Sequence, residues 1–146
     1  MAKSSRGQAP DTEDKARREA LVSVVDDDDL MRKSTRRLLR SAGLRAETFA
    51  SAEEFLTSGL AEETDCLILD LRMPGMGGLQ LQQRLAESLN PVPIIFLSAH
   101  SSANEERQAL QAGAVEFLQK PVGKNVLLLA VRNALKTPPD DKKEIL

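Results

Sequence analysis

Apolar residues recur along this chain in two rhythms. Short runs of strand length, rich in Val, Ile and Leu, occupy 21–25, 66–69, 92–97 and 114–118. Leu44-Arg45-Ala46-Glu47-Thr48-Phe49 alternates with period two, as a half-buried edge strand does. Helical segments lie between them. The segment 29–42 sets Leu30, Met31, Leu38, Leu39 and Ala42 on one side, turns Arg32, Lys33, Arg36, Arg37 and Arg40 outward, and is closed by Gly43. Ser51 followed by Glu54 has capping-box spacing and opens a helix through Ser58 that stops at Gly59. Further helices fit 78–89, 103–112 (ended by Gly113) and 123–136. The last is apolar nearly all round from Val126 to Val131, which predicts packing on more than one side. Five strands alternating with five helices predict a parallel sheet covered on both faces. In such a doubly wound α/β sheet, sites form outside the carboxyl ends of the strands, where the strand order reverses.

Composition narrows the class. A length of 146 residues suits one domain with a real core, and 41% hydrophobic with 29% charged content is that of a soluble globular chain. A net charge of −2 gives no electrostatic reason to expect direct nucleic-acid or anionic-membrane binding by this segment. No apolar stretch approaches the ~20 residues needed to span a bilayer, and the N-terminus lacks the apolar core of a secretory signal. A cytoplasmic location is the default expectation. The single Cys66 excludes an intrachain disulfide or a multi-cysteine zinc site and reads as a small core residue. His100, the single histidine, excludes a multi-histidine metal site and reads as a loop residue. Residues 1–19 are polar with mixed charges and are expected to be disordered, while 137–146 begin with a helix-stopping Pro-Pro and continue as a charged tail.

Charge placed at the predicted strand ends changes the picture more. Asp26 to Asp29 follow the first apolar run directly. An acidic run is usually a solvated surface or a helix-capping turn, but negative charge at the end of a buried strand is costly without a neutralising cation. Strand 3 ends in Asp70, strand 4 in Ser98 and strand 5 in Lys120, followed by Pro121. Converging carboxylates at Asp26, Asp27 and Asp70 favour a hard, oxygen-seeking divalent cation, most simply Mg²⁺, with Mn²⁺ as a substitute. A lysine and a hydroxyl beside them can bind phosphoryl oxygens, and an aspartate is a recognised nucleophile for phosphoryl transfer. The Gly- and Pro-rich loop after Asp70 exposes backbone carbonyls, and Pro121 suggests a cis peptide beside Lys120. Of the remaining acids, Asp28 or Asp29 is expected to cap the following helix.

The segments VVDDDDLMR, LILDLRMPGMGGL, IIFLSAH and AVEFLQKPV together resemble the receiver domain of two-component response regulators, in order and spacing over about residues 20–136. The resemblance implies a flavodoxin-like (βα)5 fold with sheet order 2-1-3-4-5. It divides the chain into an N-terminal extension at 1–19, a receiver domain at 20–136 and a tail or truncated linker at 137–146. It implies that Asp70 accepts a phosphoryl group from a phosphohistidine on a sensor histidine kinase or phosphotransfer protein. Asp27, Asp70 and the backbone carbonyl of Arg72 would hold Mg²⁺ directly, with Asp26 acting through water. Lys120 would pair with Asp70 and then with its phosphoryl oxygens. Ser98 and Phe117 would be the switch pair, the ring turning inward as the hydroxyl moves; plain core packing is the other reading of Phe117. The basic face of 32–40 reads as a solvated flank, or as a kinase-docking surface.

The implied role is signalling and not enzymatic turnover. The chain would be a phosphoacceptor whose surface at 103–136, made by the fourth helix, fifth strand and fifth helix, controls a partner, an output domain or a phosphorylation-dependent homodimer. RRLLRSAGLRAETFASAEEFL and LRMPGMGGLQLQQRL are similar to receivers that precede a LuxR-type helix-turn-helix, although a stand-alone regulator or phosphate sink has the same receiver. Gly77 stands where relatives commonly carry Asp, a change that touches the loop only. The family positions that tune acyl-phosphate lifetime are Arg72 and His100 here, neither suited to position an attacking water, so a lifetime of minutes or longer is expected. The competing class is a haloacid-dehalogenase-type phosphatase. That chemistry needs an acid/base Asp two residues beyond the nucleophile, where this chain has Arg72.

Overall fold

The structure, a computed structural model, describes residues 19–88 and 91–136. The expected extension at 1–19, apart from its last residue, the tail at 137–146 and the last residue of the 78–89 helix lie outside the described residues. Five strands, β1 (Leu21–Val25), β2 (Arg45–Phe49), β3 (Cys66–Leu69), β4 (Ile94–Ser98) and β5 (Glu116–Gln119), alternate with α1 (Asp29–Ser41), α2 (Ala52–Thr57), α3 (Gly78–Glu87), α4 (Ala103–Gln111) and α5 (Lys124–Lys136). A 3₁₀ turn at Ala61–Glu63 precedes β3. All strand pairs are parallel, in the order β2-β1-β3-β4-β5. This is the expected flavodoxin-like order.

The pleat divides each central strand between two cores. On one face Val22, Val24, Ile68, Ile95 and Leu97 meet Leu39 of α1 and Leu127, Ala130 and Val131 of α5. On the other, Val25, Leu67, Leu69 and Phe96 meet Phe55 of α2, Leu81 and Leu85 of α3 and Ala109 of α4. β1 is buried along its whole length because it has a strand on each side and a helix layer on each face. That environment explains its lack of hydrophobic alternation. β4 starts at Ile94, two residues later than the apolar run suggests. Pro93 has no N–H to give to a ladder, although its carbonyl still accepts from Leu67 N at 2.9 Å.

Two helices differ from their sequence reading. Leu30, assigned to the core side of α1, is 77% exposed, while Thr35 and Leu39 are the buried positions of that helix. Leu30 lies in the first turn, beyond the edge of the sheet. Arg32 does not point outward: its Nη1 donates to the Asp26 carbonyl at 2.7 Å and its Nη2 to Asp29 at 3.0 Å. In α5 only the stripe Leu127, Ala130, Val131 and Ala134 is buried, and Val126 and Leu129 face outward, so the helix packs on one side. The Ser51 cap forms with Glu54 N at 3.1 Å, but the Glu54 carboxylate reaches back to Ala50 N in place of Ser51 N.

Gly78 is where the fold fixes the site most tightly. Its N–H donates to Leu71 O at 2.9 Å as α3 begins directly over the end of β3. A Cβ at this position would run into the Asp70 carbonyl, with Leu71 Cα and the Phe96 ring at 3.0 Å. Only a residue without a side chain allows that approach.

Candidate functional site

Three ladder bonds fix the residues just past the strand ends. Asp26 N donates to Phe49 O at 3.1 Å, Asp70 N to Val25 O at 2.9 Å and Lys120 N to Ser98 O at 2.8 Å. Each tie extends the pairing by one residue, so the backbones of Asp26, Asp70 and Lys120 are set by the sheet itself. Positions 26, 27 and 70 thereby bring three carboxylates together, with one oxygen from each lying within 4.8 Å of the others. Asp26 and Asp70 are buried and Asp27 is exposed, so the cluster opens to solvent on one side.

Lys120 is shared unequally. Its Nζ sits 2.9 Å from Asp26 Oδ2 and 3.8 Å from Asp70 Oδ2. The expected pairing with Asp70 is therefore the longer contact, and the close partner is Asp26. The physical reason is burial. The Asp26 and Asp70 side chains are 4% and 9% exposed, so both draw the ammonium, and it lies nearer the slightly deeper one. The other Asp26 oxygen, Oδ1, accepts from Asp28 N at 2.9 Å. Both Asp26 oxygens thus hold protein groups in place, which leaves Asp27 and Asp70 as the less committed carboxylates. The Lys120–Pro121 peptide is cis.

Asp70 has lost part of its solvation. Burial first, then the neighbouring charge of Asp26, raises its carboxyl from the usual 3.8 to about 6. Lys120 and the backbone N–H of Leu71 pull the other way, and Asp27 adds to the rise. Ser98, 1% exposed, donates through Oγ to His100 O at 3.2 Å. The Phe117 ring is already inside, stacked on Phe96 with centroids 5.5 Å apart and planes at 21°. Arg72 leaves the loop after β3 and donates Nε to His100 O at 2.9 Å and Nη2 to Glu105 at 2.6 Å.

The remaining acids of the run are structural. Asp28 caps α1, accepting from Leu30 N at 3.0 Å and Met31 N at 3.2 Å. Asp29 pairs with Arg32 and Lys33 one turn on. Cys66, fully buried, has its thiol pushed up to about 12 by desolvation and the charge of Asp65, which makes it inert as a nucleophile.

Residues 22–132 match the family described as the response regulator receiver domain. The chain belongs to the receiver family. It is 42% identical over 125 residues to the response regulator protein TmoT of Ectopseudomonas mendocina, covering 86% of this chain and 57% of that protein. Over 114 residues it is 46% identical to the transcriptional regulatory protein TdiR of Thauera aromatica, covering 78% of this chain and 50% of TdiR. Among solved structures it resembles the response regulator StyR, with a TM-score of 0.78 and 41% identity over 87% of this chain and 64% of that one. The chain spans about half the length of the curated relatives it matches.

Within this receiver, the donor set fits a hard divalent ion: the converging atoms are carboxylate oxygens, and one lysine is too few to neutralise three of them. Among the described residues no helix is long and apolar enough to cross a membrane. Glu105 and Gly78 escaped the sequence reading. Ser102 and Glu105 form a reciprocal capping box on α4, and its Ser-x-x-Glu spacing was a usable signal. No local pattern marks Gly78, whose need arises from the chain passing 8 residues earlier in sequence.

Proposed function

We propose that this receiver takes a phosphoryl group on Asp70 from the phosphohistidine of a sensor histidine kinase or phosphotransfer protein, and that the modification switches its α4–β5–α5 surface. The observation that carries the reading is the half-neutralised carboxylate pocket. Asp70 sits against Asp26 and Asp27 with Lys120 within reach of both buried acids, and its carboxyl is raised to about 6. Such a pocket is short of positive charge until a cation enters. Asp27, Asp70 and the Arg72 carbonyl would hold Mg²⁺, with Asp26 acting through water; the bound ion would neutralise charge developing on the phosphoryl oxygens.

This chain's own groups divide the remaining work. An Asp70 carboxylate oxygen attacks phosphorus, the O–P bond forms as the N–P bond breaks, and the electron pair stays on the donor imidazole. Lys120, held by Asp26, needs a small displacement to bind a phosphoryl oxygen, and the Ser98 hydroxyl leaves His100 O to donate to another. The Phe117 ring starts inward, so the conformational change rests more on Ser98 and the loop after β4 than on that ring. The receiver region at 20–136, flanked by an extension and a tail or linker, would control an output domain, a partner or a homodimer. Relatives named as transcriptional regulators support DNA-binding output outside this segment. The side chain at position 72 supplies no carboxylate for phosphatase acid/base chemistry and is engaged by His100 and Glu105.

Incubation with acetyl phosphate and Mg²⁺, followed by intact mass, tests the reading. One phosphoryl group should be gained, persist for minutes or longer, and be absent from Asp70→Asn and from samples with EDTA. Turnover of added phosphoesters without a stable adduct would overturn it.

A further inference from the structure

One carbonyl receives two donors from the ends of neighbouring strands. His100 O accepts the Ser98 hydroxyl at 3.2 Å and the Arg72 Nε–H at 2.9 Å, the second bond spanning 28 residues of sequence. The rest of the Arg72 guanidinium goes to Glu105 Oε1 at 2.6 Å, and that same oxygen accepts Ser102 N at 2.9 Å. Glu105 N in turn donates to Ser102 Oγ at 3.1 Å, completing the cap of α4. Arg72, two residues past Asp70, therefore ties the loop after β3 to the loop after β4 and to the first turn of α4 in a single side chain.

We propose that Arg72 is a positioning residue whose side chain latches the β4–α4 loop in the resting state, keeping the Ser98 hydroxyl on the His100 carbonyl until phosphoryl oxygens draw it away. The inference rests on the receiver reading and adds a barrier residue to it. The guanidinium fixes where the His100 carbonyl sits, and that carbonyl is the acceptor the Ser98 hydroxyl uses. Arg72 thus holds Ser98 indirectly. Ser98 is 1% exposed, so its hydroxyl needs another acceptor when it leaves His100 O. A phosphoryl group on Asp70 would bring such an acceptor.

As a contribution to stability the Arg72–Glu105 pair is modest, because the Arg72 side chain is 59% exposed. Its position gives it leverage. The pair joins the two loops that carry the phosphoacceptor and the hydroxyl, so its loss changes the balance between two loop positions rather than the fold. An exposed pair of this kind supports a three- to fivefold bias, up to about 1 kcal/mol at 1.4 kcal/mol per tenfold.

Glu105→Gln is the informative variant. The amide oxygen still accepts from Ser102 N, so the helix cap is kept while the ion pair is lost. The readout is binding of beryllofluoride, a phosphoryl analogue, in the presence of Mg²⁺. The chain has no Trp or Tyr, so calorimetry or backbone amide NMR replaces intrinsic fluorescence. Glu105→Gln should bind beryllofluoride three- to fivefold more tightly than wild type, bind Mg²⁺ alone with wild-type affinity, and exchange the amide hydrogens of residues 99–105 faster. Arg72→Gln should speed the same exchange, and the double variant should exchange no faster than either single one. A Glu105→Gln protein that binds the analogue like wild type, or more weakly, overturns the latch, as does independent addition of the two substitutions. A lower melting temperature with unchanged analogue affinity would mark a purely structural pair and also overturn it. If wild type takes up no beryllofluoride, the receiver reading itself fails and the latch fails with it; if wild type binds and the variant matches it, the latch alone fails.

Discussion

Replacing Asp70 by Asn removes a charge that the fold holds at a cost, and the size of the effect follows from the site. Burial and the charge of Asp26 lift the Asp70 carboxyl from 3.8 to about 6. The folded state therefore binds a proton more tightly than the unfolded chain. The resulting penalty is full above the folded value and is relieved as pH falls through 6 towards 3.8. At about 1.4 kcal/mol for each pH unit between the two values, ionised Asp70 costs the metal-free fold about 3 kcal/mol at pH 7.5. At pH 4.5 most folded molecules already carry the proton, and the same linkage leaves a penalty of about 1 kcal/mol. Asn keeps the shape and an acceptor oxygen for the Leu71 N–H. In EDTA, Asp70→Asn should thus be more stable than wild type by about 3 kcal/mol at pH 7.5, or roughly 10 °C in melting temperature for a domain of this size. The advantage should shrink to about 1 kcal/mol at pH 4.5. Urea unfolding of both proteins at the two pH values measures this directly, and carboxylates remote from the site cancel in the difference. A variant less stable than wild type at pH 7.5, or an advantage that does not change with pH, would refute the assigned cause.

Three further outcomes follow from the same geometry. Lys120→Met leaves buried Asp26 without its 2.9 Å partner and should cost about 3 kcal/mol in urea unfolding, while lifting the Asp70 carboxyl further above about 6; a neutral substitution would show that the pair is not holding the site. Gly78→Ala forces a Cβ against the Asp70 carbonyl and should destabilise the fold by about 1–3 kcal/mol, with an amide NMR spectrum shifted around Asp70 and Leu71; unchanged stability would mean that α3 can shift freely. Millimolar Mg²⁺ should raise the melting temperature of wild type, by the equivalent of about 2.7 kcal/mol at a hundred times its Kd, and should raise that of Asp27→Asn far less; equal shifts would remove Asp27 from the ion site.

Much of this molecule is written locally. The buried runs at β1 and β3, the helix stop at Gly43 and the cap at Asp28 depend on neighbours a few residues away, so period, β-branching and capping chemistry reveal them. The alternation of those elements then leaves little choice but a parallel sheet, and the sheet puts Asp26, Asp27, Asp70, Ser98 and Lys120 at one edge. The sequence also carried enough spacing information to suggest the family to which the chain belongs.

What it could not decide were choices between partners distant in the chain. Lys120 lies nearer Asp26, 94 residues away, than Asp70, a choice between two buried carboxylates that exists only once the sheet has brought both strand ends together. Arg32 and Leu30 exchange their expected environments because α1 starts beyond the sheet edge, where an apolar side chain finds no layer to enter and a guanidinium finds the Asp26 carbonyl. Val126 and Leu129 stay exposed because α5 meets one face of one sheet, however apolar its sequence. Gly78 and the Arg72–His100–Glu105 connection exist only where separate loops cross. Short-range periodicity determined the elements and the edge on which the chemistry gathers. Desolvation and contact between distant segments, which only the tertiary structure supplies, decided which groups hold one another there.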